Sequence, residues 1–398
     1  DAHFGKQPAH CMRKVSTPAE SEKIDFYFFV RRGIQNLFRQ PAVSKTEWTL
    51  EIGGGRPIAA EVPGDNYSAL LKAALIPDPF VETNEWLVQK YAHETSVFKR
   101  RFRLDESMKG AKNIRLDFES VDDPAEIFLN GRRFYANNQF RRWSFEVTDV
   151  LKDDNVLEVR FPSPLKESLK RKAAHNGDEE LASFGRNTMK YINFLRRAQC
   201  QAGWDWGVSL PSSGILGDVS LRSAQTVYLD YAWHDQKIEN GKGIVTLSAE
   251  VTPALSAKAG DEVSVAFDFN GSVKSVKAKV PRSCEPFTVE AEFTVDNPRL
   301  WWPNGFGEQN LYRYGVTCEG RTLKRNLGFR TVKVVREKDS KGGESFFFRV
   351  NGVDVFAKGW NWIPSEAFPS RRTAERAAFQ LREAAKTSAN MIRVWGGG

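Results

Sequence analysis

The alternation of apolar and polar residues along the chain predicts strands that bury one face. Between residues 25 and 222, short runs with a period of two recur, and turn-forming pairs such as Asn130-Gly131 follow them. Short strands at this spacing favour a β-sandwich of jelly-roll type over residues 25–222. The apolar positions of the four clearest runs are Phe98/Phe102/Leu104, Ile114/Leu116/Phe118, Ala125/Ile127/Leu129 and Leu157/Val159/Phe161.

A second β region covers residues 226–335 and has the most regular alternation in the chain. About 110 residues of short antiparallel strands fit an immunoglobulin-like β-sandwich. The runs that predict it are Val245/Leu247/Ala249/Val251, Val263/Val265/Phe267/Phe269 and Phe287/Val289/Ala291/Phe293/Val295.

The pattern changes in residues 344–398. A strand-like run at 353–357 follows an Asn351-Gly352 turn, residues 371–386 carry apolar positions at helical spacing, and an apolar run ends at Val394. Strand, helix and strand together predict one βαβ unit with parallel strands. A (β/α)8 TIM barrel needs roughly 250 residues. These 55 residues are therefore expected to begin a catalytic barrel and to leave it truncated.

The length suggests two to three domains, and the composition is that of a globular protein, because 41% of the 398 residues are hydrophobic and 12% aromatic. The strand patterns make its fold class mostly β. Residues 1–24 show no period and are expected to form an irregular or disordered tail. The 58 Lys and Arg exceed the 50 Asp and Glu, but they are scattered and accompany no nucleic-acid motif, so no nucleic-acid partner is expected. The sequence does not indicate an oligomeric state.

Membrane and metal chemistry are not expected. No apolar stretch of 18 residues is present and no signal peptide is visible, which predicts a cytoplasmic or periplasmic protein without a membrane span. The four cysteines and five histidines show no paired or metal-ligand spacing, so neither a metal site nor a cofactor is predicted. Nucleophile triads, phosphate loops and dinucleotide fingerprints are also absent from the sequence.

The most unusual local pattern is Gly203-Trp204-Asp205-Trp206-Gly207, a carboxylate between two indoles. Aromatic planes can stack on the C–H faces of a sugar, and a carboxylate accepts hydrogen bonds from its hydroxyls. The alternative is that both tryptophans belong to a core and that Asp205 caps a turn. The residues alone favour neither interpretation.

Other tryptophans fall where the predicted domains end. The run 300–305, Leu-Trp-Trp-Pro-Asn-Gly, is expected to pack at a domain junction. Trp360 and Trp362 are expected to follow the first barrel strand, where Trp362 would line a cleft or cover the rim. Arg393 and Trp395 lie near the carboxyl end of the second barrel strand, the side on which barrel active sites are built. There an arginine can orient a carboxylate and a tryptophan can form the wall of a sugar subsite.

Taken together, these residues resemble the β-mannosidases of glycoside hydrolase family two. The resemblance begins near Trp48 and covers the rest of the chain. It is carried by Val62-Pro63-Gly64-Asp65-Asn66-Tyr67-Ser68-Ala69-Leu70-Leu71, Ile76-Pro77-Asp78-Pro79-Phe80, Asn84-Glu85, Arg197-Ala198-Gln199-Cys200, the Trp-Asp-Trp block, Leu300-Trp301-Trp302-Pro303-Asn304-Gly305, Gly328-Phe329-Arg330 and Arg393-Val394-Trp395-Gly396-Gly397-Gly398.

The resemblance implies a sugar-binding jelly roll, an immunoglobulin-like domain and a barrel that removes terminal β-D-mannose from non-reducing ends with retention. It also implies substrate-binding roles for Trp204, Asp205, Arg393 and Trp395, a β-mannoside or mannose-containing oligosaccharide as partner, and two catalytic glutamates beyond Gly398. No catalytic residue is therefore assigned, and this chain alone is expected to be inactive. The alternatives are a non-catalytic carbohydrate-binding protein and another family-two exo-glycosidase, a β-galactosidase or a β-glucuronidase.

Overall fold

A computed structural model describes residues 47–175 and 190–396. The tail expected over residues 1–24 lies outside the described residues. None of the helices in the described ranges is long and apolar enough to cross a membrane.

The first part of the structure is a β-sandwich with three short helices. Its main sheet has the strand order β2-β1-β4-β9-β6-β7, and the order β13-β5-β8 forms the facing sheet. Two small pairs, β12-β3 and β10-β11, lie beside them. The strands are β1 Trp48–Ile52, β2 Ile58–Ala60, β3 Gly64–Asp65, β4 Ser96–Arg103, β5 Ile114–Phe118, β6 Ala125–Leu129, β7 Arg132–Ala136, β8 Trp143–Glu146, β9 Asp154–Phe161, β10 Ala202–Trp204, β11 Gly207–Ser209, β12 Gly214–Ile215 and β13 Val219–Ser223; the helices are α1 Asn66–Lys72, α2 Asn84–Val88 and α3 Pro164–Ala174.

The predicted alternation is confirmed in this sandwich. The apolar positions of β5, β6 and β9 are buried in one core, with the polar positions between them more exposed along most of each strand. Asn130 and Gly131 both have positive φ, 50° and 90°, and connect β6 to β7. That geometry is the two-residue hairpin turn that an Asn-Gly pair favours.

The second sandwich packs the sheet β14-β15-β18 on the sheet β17-β16-β19-β20. The alternating positions predicted from β15, β16 and β18 enclose its core, in which Val245, Leu247 and Phe267 are fully buried. The mostly β fold class, with two successive sandwiches, is confirmed. The strands are β14 Val227–Glu239, β15 Lys242–Pro253, β16 Glu262–Phe269, β17 Ser272–Lys279, β18 Phe287–Asp296, β19 Tyr312–Cys318 and β20 Arg321–Leu327.

The two sandwiches are joined through a buried arginine. Arg222 in β13 donates hydrogen bonds to Asp117 at 2.6 Å, to Asp230 at 2.8 Å and to the carbonyl of Leu229 at 2.9 Å. Its guanidinium also lies 5.2 Å from the ring centroid of Tyr228. Because Asp117 belongs to the first sandwich and Asp230 to the second, one charged group holds both.

The last part of the described chain contains a three-stranded antiparallel sheet and then a βαβ unit. The antiparallel sheet has the order β21-β22-β23, and β24 pairs in parallel with β25. The elements are β21 Val332–Val335, β22 Phe347–Val350, β23 Val353–Val355, β24 Gly359–Trp362, α4 Ala374–Lys386 and β25 Met391–Val394. Throughout the described ranges, short 3₁₀ segments occur at Gln89–His93, Glu106–Met108, Ile192–Phe194, Gln199–Gln201 and Pro369–Arg371.

The prediction that residues 353–357 form the first barrel strand is wrong. Val353–Val355 folds back on β22 as an antiparallel hairpin around Asn351 and Gly352, whose φ values are 50° and 82°. The parallel partner of β25 is instead β24, so Trp360 and Trp362 lie within the first barrel strand and do not follow it. The βαβ unit itself is present, one strand later than the sequence indicated.

Candidate functional site

The Trp-Asp-Trp block forms a tight hairpin at one end of the first sandwich. Trp204 in β10 pairs with Gly207 in β11, which leaves Asp205 and Trp206 as the two turn residues. Gly203 has φ of 94°, and a Cβ atom there would lie only 2.7 Å from the Cβ atom of Ser209. The hairpin therefore requires glycine at this position, both for its backbone angle and for the close approach of the opposite strand.

Asp205 is presented to solvent by this hairpin. The residue is exposed, and its carboxylate makes no hydrogen bond or ion pair with the chain over 47–175 and 190–396. Trp204 and Trp206 are only partly buried. The interpretation that both indoles are core residues is therefore wrong, and the carboxylate is left with all of its acceptor positions open.

The base of the hairpin rests on a buried ion pair. Arg197 lies 3.2 Å from Asp122, and both side chains are almost fully buried. Arg197 also donates to Gln201 Oε1 at 3.1 Å, next to the first residue of β10. Burial raises the pKa of the Asp122 carboxyl to about 7 although Arg197 acts in the opposite direction. This network fixes the segment from which the hairpin projects.

Trp395, directly after β25, packs against the hairpin. Its ring centroid lies 4.9 Å from that of Trp204 and 5.5 Å from that of Trp206, at interplanar angles of 72° and 80°. Its backbone N–H donates to the carbonyl of Trp362 at 2.8 Å, which continues the parallel ladder. Three tryptophans from two distant stretches of sequence thus surround the turn that carries Asp205.

Arg393 lies in β25, two residues before Trp395. It is the cross-strand partner of Asn361, and its Nη1 donates to Asn361 Oδ1 at 3.1 Å. Side chains two residues apart share a face of a strand, so Arg393 and Asn361 lie on the face away from Trp360 and Trp362. Asn361 was not predicted as a site residue. Its position between two tryptophans in a period-two run was the signal that could have found it.

The opposite face of β24 and β25 is turned toward helix α4. Trp360 Nε1 donates to Thr387 Oγ1 at 3.1 Å, and Trp362 lines a cleft of about 310 Å³ between the strands and the helix. In a (β/α)8 barrel the helices surround the strands. Trp360 and Trp362 accordingly belong to the outer layer, whereas Arg393 and Asn361 lie on the inner side.

The loop between β24 and α4 is attached to helix α1 of the first sandwich. Phe368 is fully buried there, stacked on Tyr67 with centroids 5.7 Å apart and met edge-on by Phe80 at 5.9 Å. Ser370 Oγ donates to Asp65, which also caps α1 through the Ser68 N–H. Burial raises the pKa of the Asp65 carboxyl. The first sandwich therefore holds the barrel opening at this loop as well as at the hairpin.

The tryptophan turn at 300–305 is a junction, as predicted. Asn304 Nδ2 donates to the carbonyls of Ala385 at 3.2 Å and Ala389 at 3.0 Å, at the carboxyl end of α4. The Trp301 carbonyl accepts a hydrogen bond from Asn351 at 3.0 Å. These contacts fix the second sandwich to the helix and to the β22–β23 turn.

Two glutamates of the barrel opening, Glu344 and Glu366, are held in ion pairs. Glu366 is buried and paired with Arg376 at 3.2 Å, whereas Glu344 is paired with Arg336 at 2.7 Å. Within the described residues, no group of three His, Cys, Asp or Glu side chains is placed to hold a metal ion. The site is thus built from aromatic rings, an arginine, an amide and one open carboxylate.

A double sandwich followed by the opening of a barrel, with this aromatic hairpin at the strand ends, is the architecture of a family-2 glycosyl hydrolase. Residues 42–217 match the family model described as glycosyl hydrolase 2 galactose-binding domain-like, and residues 227–330 match that of glycosyl hydrolases family 2. The chain belongs to this family.

Within the family, the chain is similar to β-mannosidases. It is 30% identical over 368 residues to β-mannosidase of Bos taurus and 30% identical over 369 residues to a probable β-mannosidase of Caenorhabditis elegans, covering 88% and 85% of this chain. The crystal structure of β-D-mannosidase from Dictyoglomus thermophilum matches with a TM-score of 0.80 and 32% identity over 88% of this chain. The chain spans only about two fifths of these relatives, 42%, 39% and 44% of their lengths respectively.

Proposed function

We propose that this chain is the amino-terminal, sugar-recognising part of a retaining exo-β-mannosidase that removes terminal β-D-mannose from non-reducing ends. The observation that carries the proposal is the packing of Trp204 and Trp206 on Trp395. It brings a carboxylate of the sandwich to the carboxyl end of a barrel strand, which is where barrel enzymes bind their substrates. Similarity to β-mannosidases over 85–88% of the chain supports mannose as the sugar.

In this proposal each site residue has a separate role. Trp204 and Trp395 supply flat apolar walls for the C–H face of the sugar ring. Asp205 accepts hydrogen bonds from sugar hydroxyls, because a carboxylate is a strong acceptor without donors of its own. Arg393, on the inner face of β25, donates hydrogen bonds toward the reacting centre and orients a carboxylate there.

Cleavage itself is assigned to residues outside this chain. A retaining glycosidase needs two carboxyl groups roughly 5 to 5.5 Å apart, one as nucleophile and one as acid/base. Asp205 is a single carboxylate, and Glu366 is held in an ion pair with Arg376. The 398-residue chain is therefore expected to bind β-mannosides without hydrolysing them.

The binding half of the proposal is tested by calorimetry with methyl β-D-mannoside, methyl β-D-galactoside and methyl β-D-glucuronide. The mannoside should bind most tightly. Asp205→Asn should weaken its binding by tenfold or more, because a hydrogen bond to a charged group typically contributes about 1.5–3 kcal/mol and about 1.4 kcal/mol corresponds to tenfold. Asp235→Asn is the matched control, since Asp235 is also exposed but lies on the second sandwich. Equal binding of all three glycosides would contradict specificity for mannose.

The catalytic half is tested by assaying the 398-residue chain and the longest product of its reading frame on p-nitrophenyl β-mannoside. Turnover by a longer product alone is expected. If the mannoside binds but no product of the reading frame hydrolyses it, the chain is a carbohydrate-binding protein. Turnover of β-galactoside or β-glucuronide in place of β-mannoside would assign a different specificity within family 2.

A further inference from the structure

Helix α2 of the first sandwich presents an exposed tryptophan. Trp86 is 67% exposed and its neighbour Leu87 is 62% exposed. The other side of the same helix is anchored, because Val88 is buried and Glu85 is bonded to the sandwich. Exposed apolar side chains that lie together, as Trp86 and Leu87 do on this helix, are a feature of binding surfaces.

This helix is attached to both elements that build the sugar site. On one side, Glu85 Oε1 accepts the Ser209 N–H at 2.8 Å and Gln89 Nε2 donates to the Ser209 carbonyl at 3.3 Å. Ser209 is the last residue of β11, three positions beyond Trp206 and so roughly 10 Å along the strand. The helix therefore lies beside the hairpin that carries Asp205.

On the other side, the loop that leads into α2 touches the barrel opening. Phe80 meets Phe368, in the loop between β24 and α4, edge to face at 5.9 Å. That loop follows the carboxyl end of β24, as Trp395 follows the carboxyl end of β25. Residues 80–89 consequently border the rim at which both barrel strands end.

We propose that Trp86 is an aromatic platform for the second or third sugar of an oligosaccharide whose terminal sugar occupies the site at Trp204, Asp205 and Trp395. The inference rests on the proposed function. An exo-acting site holds the non-reducing end, so the remainder of the chain has to leave across the rim. The exposed indole beside that rim offers the flat apolar face on which a pyranose ring stacks. Trp86 would then set a preference for oligosaccharides over simple mannosides.

The test compares methyl β-D-mannoside with β-1,4-linked mannotriose by calorimetry on the 398-residue chain. The trisaccharide should bind more tightly, and Trp86→Ala should remove most of that advantage, roughly tenfold, as is typical of a tryptophan anchor. Affinity for the monosaccharide should not change. Trp86→Phe should restore part of the gain because a flat ring is retained.

Leu87→Ala is the matched control, since it removes an equally exposed apolar side chain from the same helix without an aromatic face. It should leave both affinities unchanged. If mannotriose gains nothing over the monosaccharide, or if Trp86→Ala leaves the gain intact, the platform is disproved while the mannose site stands. If the chain binds neither sugar, the proposed function fails first, and with it this inference.

Discussion

The rings of Trp204 and Trp395 meet edge to face with centroids 4.9 Å apart, although one belongs to the first sandwich and the other follows the second barrel strand. Trp206 completes the contact from the other side of the hairpin turn. The contact fixes the position of Asp205 relative to Arg393, because each is within two residues of a ring that takes part. The relative position of the first sandwich and the barrel opening is set at this point by packing of the tryptophans of the candidate site.

The contact should be measurable as a coupling energy. Trp204→Ala and Trp395→Ala should each lower the free energy of unfolding, and the double variant should lose less than the sum, with a coupling of about 0.5–1.5 kcal/mol. Urea unfolding of the four proteins gives this value. Trp360 lies on the opposite face of the barrel strand, so the pair Trp204→Ala and Trp360→Ala should be additive. Additivity of the Trp204 and Trp395 variants would show that the rings do not interact in solution.

Phe368 should be the main attachment of the barrel opening to the first sandwich. Its side chain is fully buried between Tyr67 and Phe80, and truncation of a buried phenylalanine typically costs about 3–5 kcal/mol. We expect Phe368→Ala to expose residues 356–396 to proteolysis while the two sandwiches resist it. Mass spectrometry of the fragments locates the cuts.

The control for that variant is Phe379→Ala on helix α4, where the side chain is 56% exposed. Phe379→Ala should leave the protease pattern as in the wild type, and it should lower the free energy of unfolding by much less than Phe368→Ala does. A protease pattern for Phe368→Ala that matches the wild type would mean that the hairpin alone holds the barrel opening in place.

Asp65 should make the stability of the chain depend on pH. Burial is the largest effect on its carboxyl and raises the pKa, against the hydrogen bonds from Ser370 and Ser68 and the charge of Arg371. A raised folded pKa means that the unfolded chain releases this proton first, so the contribution of Asp65 falls as pH rises above the unfolded value of about 4. Asp65→Asn keeps the helix cap without the charge and should gain stability relative to wild type between pH 5 and pH 8.

Two variants check the sign of this effect in thermal unfolding at both pH values. Asp65→Ala loses the cap and should be less stable than Asp65→Asn by about 1 kcal/mol at either pH. Asp105 caps an exposed 3₁₀ segment, and its hydrogen bonds with Ser107 lower the pKa of its carboxyl. Asp105→Asn should therefore not gain stability as the pH rises. A difference between Asp65→Asn and wild type that stays constant from pH 5 to pH 8 would contradict a raised pKa of the Asp65 carboxyl.

Arg222 should be essential to the union of the two sandwiches. Replacing it with methionine keeps the apolar stem but leaves Asp117 and Asp230 without their shared cation. Removing one partner of a buried ion pair typically costs about 3–5 kcal/mol. Arg103→Met is the control, because its pair with Asp154 is exposed and such pairs contribute about 0–1 kcal/mol. Similar urea midpoints for the two variants would contradict the assigned role of Arg222.

The sandwich strands could be predicted from the sequence because one face of each is buried. In β15 every second residue is buried, and the sequence shows the same alternation of apolar residues, at Val245, Leu247, Ala249 and Val251. Asn-Gly pairs marked the turns, because only a few residue types accept two successive positive φ values. Strand alternation and turn conformation both depend on residues close together in the chain, so a single sequence is enough to predict them.

The identity of the first barrel strand could not be obtained from the same signals. Residues 353–355 have the β-branched residues of a strand, whereas β24 reads Gly-Trp-Asn-Trp and lacks them. Parallel partners are chosen by long-range pairing, which propensity does not encode. The Asn351-Gly352 turn in fact indicated an antiparallel hairpin, and it should have outweighed the apolar run after it.

For the candidate site, too, the sequence could predict some features and not others. Trp204, Asp205, Arg393 and Trp395 could be chosen from residue type and resemblance, and their assignment to sugar binding remains a prediction. That Trp395 packs on Trp204 and that Arg393 bonds Asn361 depends on how separate units meet. For Asn361 the sequence offered only its position between two tryptophans, and its pairing with Arg393 follows from the register of two parallel strands.

The hairpin at residues 202–209 has a further consequence for the history of such proteins. The proposed sugar site is shared between the first sandwich and the barrel opening, so neither unit alone contains all of its wall. Exchange of whole modules between related genes would then alter sugar preference in one step, and later substitutions in the barrel would have to suit the hairpin they face. Substitutions in the hairpin and in the barrel residues that face it should accordingly be correlated among such proteins.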